Sequence, residues 1–479
     1  MDWLALLDGS GFEFARQVLQ RGTAAVALVA FVSSWSQFPA LLGERGLLPV
    51  RRFLELGYAR RQPTIFRWRY SDRMLRACCA LGALVAASLV AGLPQLGPPW
   101  VPLLAFGVLW ALYLSIVTVG QTFYGFGWES LLLESLFVVA FLGSNEVAPP
   151  ILVLGFVWWL VFRLEFGAGM IKWRGGREWR DLTALMYHHE TQPMPNPLSR
   201  WAHLLPAWFH RSEVVANFIA QLGVPFLLFA PQPVASVAAL VIVGTQAWLV
   251  LTGNFAWLNW LTMVLACSAI GDGFLHAVLP AWPAEAAYAP TPVWFQALTT
   301  LVFAGLVVLS WQPLRNLFAR HQLMNASFNR FHLVNAYGAF GTVTKRRDEV
   351  VVEGTEQADP GPGDWVAYEF HGKPGDPARV PRQFAPYHLR LDWLMWFLAL
   401  GAPDHGWFRA FLVRLLEADP ATLRLLRVDP FEGRRPVAVR AKVYRYRFAT
   451  RRERRETGLW WMREDAGVLV APIALGARP

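Results

Sequence analysis

Charge is scarce in this sequence. Only 16% of its 479 residues are Asp, Glu, Lys or Arg and 55% are apolar, whereas an ordinary soluble domain is about 25% charged and 45–50% apolar. A solvated globule of this length would lack the charge to cover its surface, so a simple soluble enzyme does not fit. Cysteine is scarcer still: Cys78, Cys79 and Cys267 all lie inside apolar stretches, which excludes a disulfide scaffold, a zinc ribbon and a CxxC redox pair. An export signal of the usual form opens on bases followed by an apolar run. Residues 1–13 carry acidic charges alone, and the first base is Arg16. Also missing are a GxSxG elbow, a Walker loop, an HExxH helix and a GxGxxG turn. His188-His189-Glu190 has metal-ligand chemistry, but adjacent histidines point apart on a helix and no further ligand sits at a useful spacing. No metal is expected.

What the chain has instead is long apolar runs. A bilayer core of about 30 Å takes roughly 20 apolar residues of helix, and nine candidate spans meet or approach that length. They centre on residues 23–41, 77–97, 101–119, 130–143, 151–166, 214–229, 234–251, 257–270 and 293–309. Many of the 24 tryptophans fall near their ends (Trp100, Trp128, Trp173, Trp257, Trp260, Trp282, Trp294 and Trp311), where an amphipathic ring suits the headgroup zone. The formal charge of +10 resembles that of a nucleic-acid binder. The arginines, however, cluster beside apolar runs rather than along an open basic face, so no nucleic-acid partner is expected.

Two polar segments interrupt the spans. Residues 44–76 hold nine arginines against Glu44, Glu55 and Asp72, which the positive-inside rule would place in the cytoplasm. Residues 172–211 form a surface loop in which Pro193, Pro195 and Pro197 exclude a continuous helix, so an extended clamp between two short amphipathic helices is expected. From about residue 320 the composition becomes nearly ordinary. Strand patterns at 338–344, 349–354, 365–370 and 437–448, with helices near 391–400 and 407–417, indicate an α+β domain over residues 320–479. The expected architecture is a polytopic α-helical membrane protein with about nine transmembrane helices over residues 1–319 and a C-terminal α+β extramembrane domain.

Charges inside or beside the spans are the candidate chemistry, because an ionised group at the bilayer centre is costly and faces a partner or a cavity. They are Glu129, Glu134, Arg163, Glu165 and Lys172, with Asn217 and Gln221 as an i, i+4 polar pair. Either they fasten helices to one another, or they line a pocket for a lipid or quinone in which Lys172 is a desolvated general base. A transporter around the same cavity is weaker, since the inverted repeats that would favour it are not found.

Five stretches carry a resemblance: GQTFYGFGWESLLLESLFVVAFLG (residues 120–143), RLEFGAGMIKWRGGREWRDLTALMYHHETQPMPNP (163–197), NAYGAFGTVTKRRDEVVVEGT (335–355), PRQFAPYHLRLDWLMWF (381–397) and WWMRE (460–464). In that order they resemble the lipase maturation factor family, polytopic membrane proteins that in animals act in the endoplasmic reticulum to help dimeric lipases reach an active fold. The family is distantly similar to the membrane part of vitamin K-dependent carboxylases, which act on a quinol. The resemblance implies no cofactor for a folding factor, or a quinone or lipid for an enzyme, with membrane lipids and an exported lipase-like client as partners. It points to Trp179, Arg180, Asp181, His189, Glu190, Thr191, Gln192, Pro193, Pro195 and Asn196 in the loop and Tyr387, His388, Arg390 and Asp392 in the terminal domain, as a client surface or as loop-to-domain packing. It also implies that loop and terminal domain are exoplasmic, against the positive-inside reading. Composition suggests a bacterial source, hence a cytoplasmic membrane; a eukaryotic source would mean the endoplasmic reticulum membrane.

Overall fold

The computed structural model describes residues 8–57, 59–283 and 287–476. Residues 1–7, read above for an export signal, and the Arg60 side chain lie outside them. Among the described residues, seven helices are long and apolar enough to cross a bilayer. They are α1 (Glu13–Leu42), α2 (Asp72–Ala91), α3 (Trp100–Val119), α5 (Ile151–Arg174), the stretch Ala207–Phe229 that begins with α7 (Ala207–Phe218), α8 (Val234–Thr252) and the stretch Val293–Leu317. An eighth passes only as a pair, Leu258–Ala269 with Asp272–Val278, bent by 97°. Of the nine expected, seven or eight thus meet the length and apolarity of a span among the described residues. The fourth candidate is α4 (Gly127–Val139), a 13-residue helix of about 20 Å at 1.5 Å per residue, shorter than a lipid-facing span requires and almost wholly buried.

Lipid-facing chemistry is plain on the outer helices. Leu84, Leu104, Leu301 and Val308 are each at least 60% exposed, an arrangement that water would penalise and hydrocarbon does not. Inside the bundle small residues set the spacing. A Cβ at Gly82 of α2 would lie 2.5 Å from the Phe31 ring of α1, so glycine lets these two helices approach. Cys78 and Cys79 are buried and all three thiols are free. Trp128 and Trp257, expected at the headgroups, are instead buried and hydrogen-bonded to each other, indole Nε1 of Trp257 donating to the Trp128 carbonyl at 3.0 Å.

Loop contacts sort the helix ends into two faces. On one, Gln37 at the end of α1 bonds the backbone of His388 and Arg390, Gln121 bonds Leu48, Gly176 bonds Gly341 and Asn254 bonds Arg382. On the other, the amides of Glu13 and Phe14 bond the Asp272 carboxylate and Asn145 bonds Gln95. The arginine-rich segment, the loop after α5 and the chain after residue 320 thus share one face. Although α4 is short, it carries the chain from the Gln121 face to the Asn145 face.

The carboxyl-terminal region holds a four-stranded antiparallel sheet of order β2-β1-β3-β4, formed by β1 (Arg347–Thr355), β2 (Val366–Ala367), β3 (Ala438–Phe448) and β4 (Trp461–Ile473). Val350 pairs with Val443 and Phe448 with Trp461. Helices α9 (Arg390–Ala399) and α10 (Trp407–Leu416) lie close to the expected ranges. The strand expected at 338–344 is absent: its backbone bonds the loop instead, Gly176 donating to Gly341 and Trp179 to Phe340. The strand β4, which sequence patterning missed, is a sheet edge with mostly exposed side chains.

Before reaching the sheet the chain returns to the bundle. A Cβ at Gly167 of α5 would fall 2.6 Å from the Tyr337 carbonyl oxygen, so glycine admits this segment. There Glu134 of α4 pairs with Arg163 of α5, and its Oε2 accepts from the Asn335 amide at 2.9 Å, the Asn335 side chain at 2.9 Å and Tyr337 Oη at 2.8 Å. Arg163 in turn donates to the Asn335 carbonyl at 2.7 Å. Every member is buried, so removing one partner strands the other. Arg163→Met should lower stability by about 3–5 kcal/mol, and adding Glu134→Gln should recover most of the loss. Unfolding in detergent micelles measures both, and equal losses would show that the pair is not what matters.

Candidate functional site

The five intramembrane charges do not form one pocket. Glu134 and Arg163 are locked as above, and Glu129 meets the carboxyl-terminal region. Arg390 Nη1 donates to Glu129 Oε1 at 2.6 Å and to the Phe123 carbonyl at 2.9 Å, and its guanidinium lies 3.4 Å above the Tyr124 ring. Tyr113 Oη donates to Glu129 Oε2. His388 lies beside them, Nδ1 3.5 Å from Glu129, boxed by Phe126, Trp128, Trp257 and Trp393. Burial, then the nearby Arg390 charge, push the His388 imidazole down to about 4. Its Nδ1 accepts from Trp128 Nε1 at 3.4 Å, so it is not the proton donor to Glu129, and Arg390 with Tyr113 balances that carboxylate.

Glu165 and Lys172 do line a cavity, of about 990 Å³. Gln246 and Gln221 donate to the two Glu165 oxygens at 2.6 and 3.2 Å. Lys172 Nζ donates to Gln221 at 2.8 Å and to Asn217 at 3.2 Å. The two charges are thus joined through Gln221 rather than directly. Gln221 sits on a π turn, Ile219–Gly223, just before Pro225, whose missing amide hydrogen breaks the α ladder. Aromatic rings complete the walls: Trp179 (5.0 Å from Lys172 Nζ), Trp248, Phe255, Phe340 and Trp393.

The loop residues are mostly inside. Trp179, His189, Thr191, Gln192, Pro193, Pro195, Asn196, His388, Arg390 and Asp392 are buried, Glu190 and Tyr387 half-buried, and Arg180 and Asp181 exposed. The proline segment runs between the short helices α6 (Leu185–Thr191) and Ser199–His203 as a strap. Arg347 of β1 donates to the carbonyls of Glu190, Gln192 and Pro193, while Glu190 accepts from the Phe448 amide at 2.7 Å. Asn196 bonds Leu251 and Gln383, each at 2.9 Å, and Trp396 bonds the Thr191 carbonyl. Tyr387 meets Ser36 of α1 at 2.6 Å. Asp392 accepts from the Gly372 amide at 2.6 Å, and burial pushes its carboxyl up to about 6.

Sequence reasoning missed several partners: Arg347, Glu349 and Lys373, a buried charged trio; Asn335; Gln246; and His210 with Glu213. The helix does part His188 from His189, as expected. His189 is joined instead by His210 and Glu213 of α7; their H-x-x-E spacing on one helix was the available signal.

Fold and site together define a polytopic helical membrane protein whose extramembrane α+β region is bonded into its bundle. The Lipase maturation factor transmembrane domain model matches residues 14–277 and the Lipase maturation factor C-terminal domain model residues 333–471. The chain is 37% identical to Lipase maturation factor 1 of Bos taurus, covering 98% of this chain and 91% of that one, and 37% identical to that of Homo sapiens, covering 98% and 90%. It is 30% identical to Lipase maturation factor 2 of Gallus gallus, covering 96% and 81%. No solved structure matches. The chain belongs to the lipase maturation factor family.

Three histidines outside the spans, His188 and His388 buried and His203 half-buried, make an acid limb. His388 and His203 are depressed to about 4 and His188 to about 3, each chiefly by burial. A depressed folded value means that their stabilisation is complete above the unfolded value near 6.5 and is lost as pH falls towards the folded value. Raised Asp392 acts oppositely, losing stability as pH rises from about 4 towards about 6. Melting temperature should therefore fall between pH 7 and pH 5, and His388→Gln should make that limb shallower. An unchanged slope would remove His388 from the account.

Proposed function

We propose that this chain assists the maturation of an exported lipase-like client, on the face formed by the loop after α5 and residues 320–479. The observation that carries the reading is 37% identity along nearly its whole length to proteins named Lipase maturation factor 1. The membrane is that of the endoplasmic reticulum in a eukaryotic cell, or the cytoplasmic membrane in a bacterial one, with this face exoplasmic and exposed to the client. The buried loop residues act as fasteners, so the client meets what is exposed. That includes Arg180, Asp181 and the open edge strand β4, where Val468 and Leu469 face outwards. An open edge offers backbone donors and acceptors to an incoming strand.

A cell lacking the gene should make its exported lipase in normal amount but with lower specific activity, and Val468→Lys should lower that activity without changing the protein's own melting temperature. Unchanged activity for every secreted hydrolase would overturn the reading.

The cavity supports a second reading, an enzyme acting on a lipid or quinone with Lys172 and Glu165 at its polar end. Its largely apolar, ring-lined surface with a cluster of polar groups at one end resembles that of small-molecule sites. Under that reading Lys172→Ala abolishes function at normal expression and melting temperature; a fall in stability alone assigns Lys172 to packing.

A further inference from the structure

We infer that His189, His210 and Glu213 form a binding site for a single divalent transition-metal ion, zinc by ligand type, at the edge of the cavity. One ligand atom from each residue lies within 4.8 Å of the others. His189 Nε2 is 3.5 Å and His210 Nδ1 3.7 Å from Glu213 Oε2. Those gaps are long for hydrogen bonds. They suit ligands around a tetrahedral ion, where bonds of roughly 2.0–2.1 Å put neighbouring ligand atoms about 3.4 Å apart.

The atoms facing this point make no hydrogen bond: His189 Nε2, His210 Nδ1 and Glu213 Oε2 are buried without a partner among the described residues, and His189 and His210 are only 1% and 2% exposed. Buried polar atoms are ordinarily satisfied, and the three that converge, His189 Nε2, His210 Nδ1 and Glu213 Oε2, need a partner.

The outer atoms of His210 and Glu213, by contrast, are engaged as ligand-orienting groups are. His210 Nε2 is 3.3 Å from the His203 carbonyl oxygen. A carbonyl only accepts, so Nε2 carries the proton and Nδ1 presents a lone pair towards Glu213. Glu213 Oε1 accepts from Trp248 Nε1 at 2.6 Å, which fixes the carboxylate and leaves Oε2 free. Such secondary bonds set tautomer and orientation in metal centres. His210 and Glu213, three apart on α7, project from one helix face, and α6 delivers His189 opposite them. A simple His189 imidazolium pairing with Glu213 would leave the His210 lone pair without a donor. Two histidines and a glutamate supply three ligands, and because His189 and Glu213 also line the cavity, the fourth position opens into it.

The test is metal content of the full chain, purified in detergent without added metal or chelator and read by inductively coupled plasma mass spectrometry. About one zinc per chain is expected in the wild type and in the surface control Asp181→Asn, with loss in His189→Ala. Because a buried histidine change can unfold the protein, Trp248→Phe serves as the second variant; it keeps all three ligands and should weaken cobalt(II) binding about 10–100-fold. Cobalt(II) added to metal-stripped wild type should give the visible absorption of a four-coordinate site. No bound metal together with no cobalt(II) spectrum, or equal metal in wild type and in folded His189→Ala, would overturn the inference.

Discussion

An ionised group held in a low-dielectric interior must be balanced by a partner close at hand, and in this protein most of those partners come from far along the chain. Glu129 and Glu134 stand on the short helix α4, almost wholly enclosed. Glu129 is balanced by Arg390 and Glu134 by Arg163, with Asn335 and Tyr337 completing its bonds. A buried carboxylate without such partners is strongly destabilising. The bundle therefore requires the carboxyl-terminal region, and that region cannot be an appendage on a flexible linker. The same constraint explains why α4 can be short: it is the charged, protein-enclosed axis around which longer, lipid-facing helices pack.

The loop follows from this arrangement. Once residues 335–341 and 387–390 are drawn into the bundle, the proline strap lies between them and α8, and its backbone must find partners there. Arg347 donates to the carbonyls of Glu190, Gln192 and Pro193 and Asn254 to those of Met194 and Pro195, while the strap's own Gln192 and Asn196 side chains donate to carbonyls at the end of α8. What remains outside is a face carrying a sheet edge, and beneath it a cavity whose polar lining includes Lys172, Glu165, His189 and Glu213. The exposed face and the cavity beneath it are one continuous structure, joined through Trp179, Gln192 and Trp396.

Much of this was legible in the sequence. Apolar runs gave the spans, because helix length against bilayer thickness is a one-dimensional rule. Alternation exposed β3, and the Glu129, Glu134, Arg163, Glu165 and Lys172 set was visible as charge where charge is costly. Their pairing was not legible, since Arg390 lies 261 positions from Glu129 and nothing local to either encodes the other. Trp128 and Trp257 were misplaced at the headgroups because a ring near a helix end serves an interface or an aromatic box equally well. Residues 338–344 were misread as a strand because Phe340, Thr342, Val343 and Thr344 are residue types that favour strands, while the backbone bonds the loop. Strand β4 was missed because an edge strand exposed on both faces has no hydrophobic period to detect.

The central claim is that bundle and carboxyl-terminal region are one cooperative body held through Glu129 and Arg390. Hydrogen exchange of Gly127–Val139 and Arg390–Ala399 in detergent micelles tests it most directly. The account predicts that both helices exchange together in the wild type, by one opening reaction, and that Glu129→Gln accelerates both in parallel. Exchange of Arg390–Ala399 that is faster than, and independent of, Gly127–Val139, unaffected by Glu129→Gln, would contradict it.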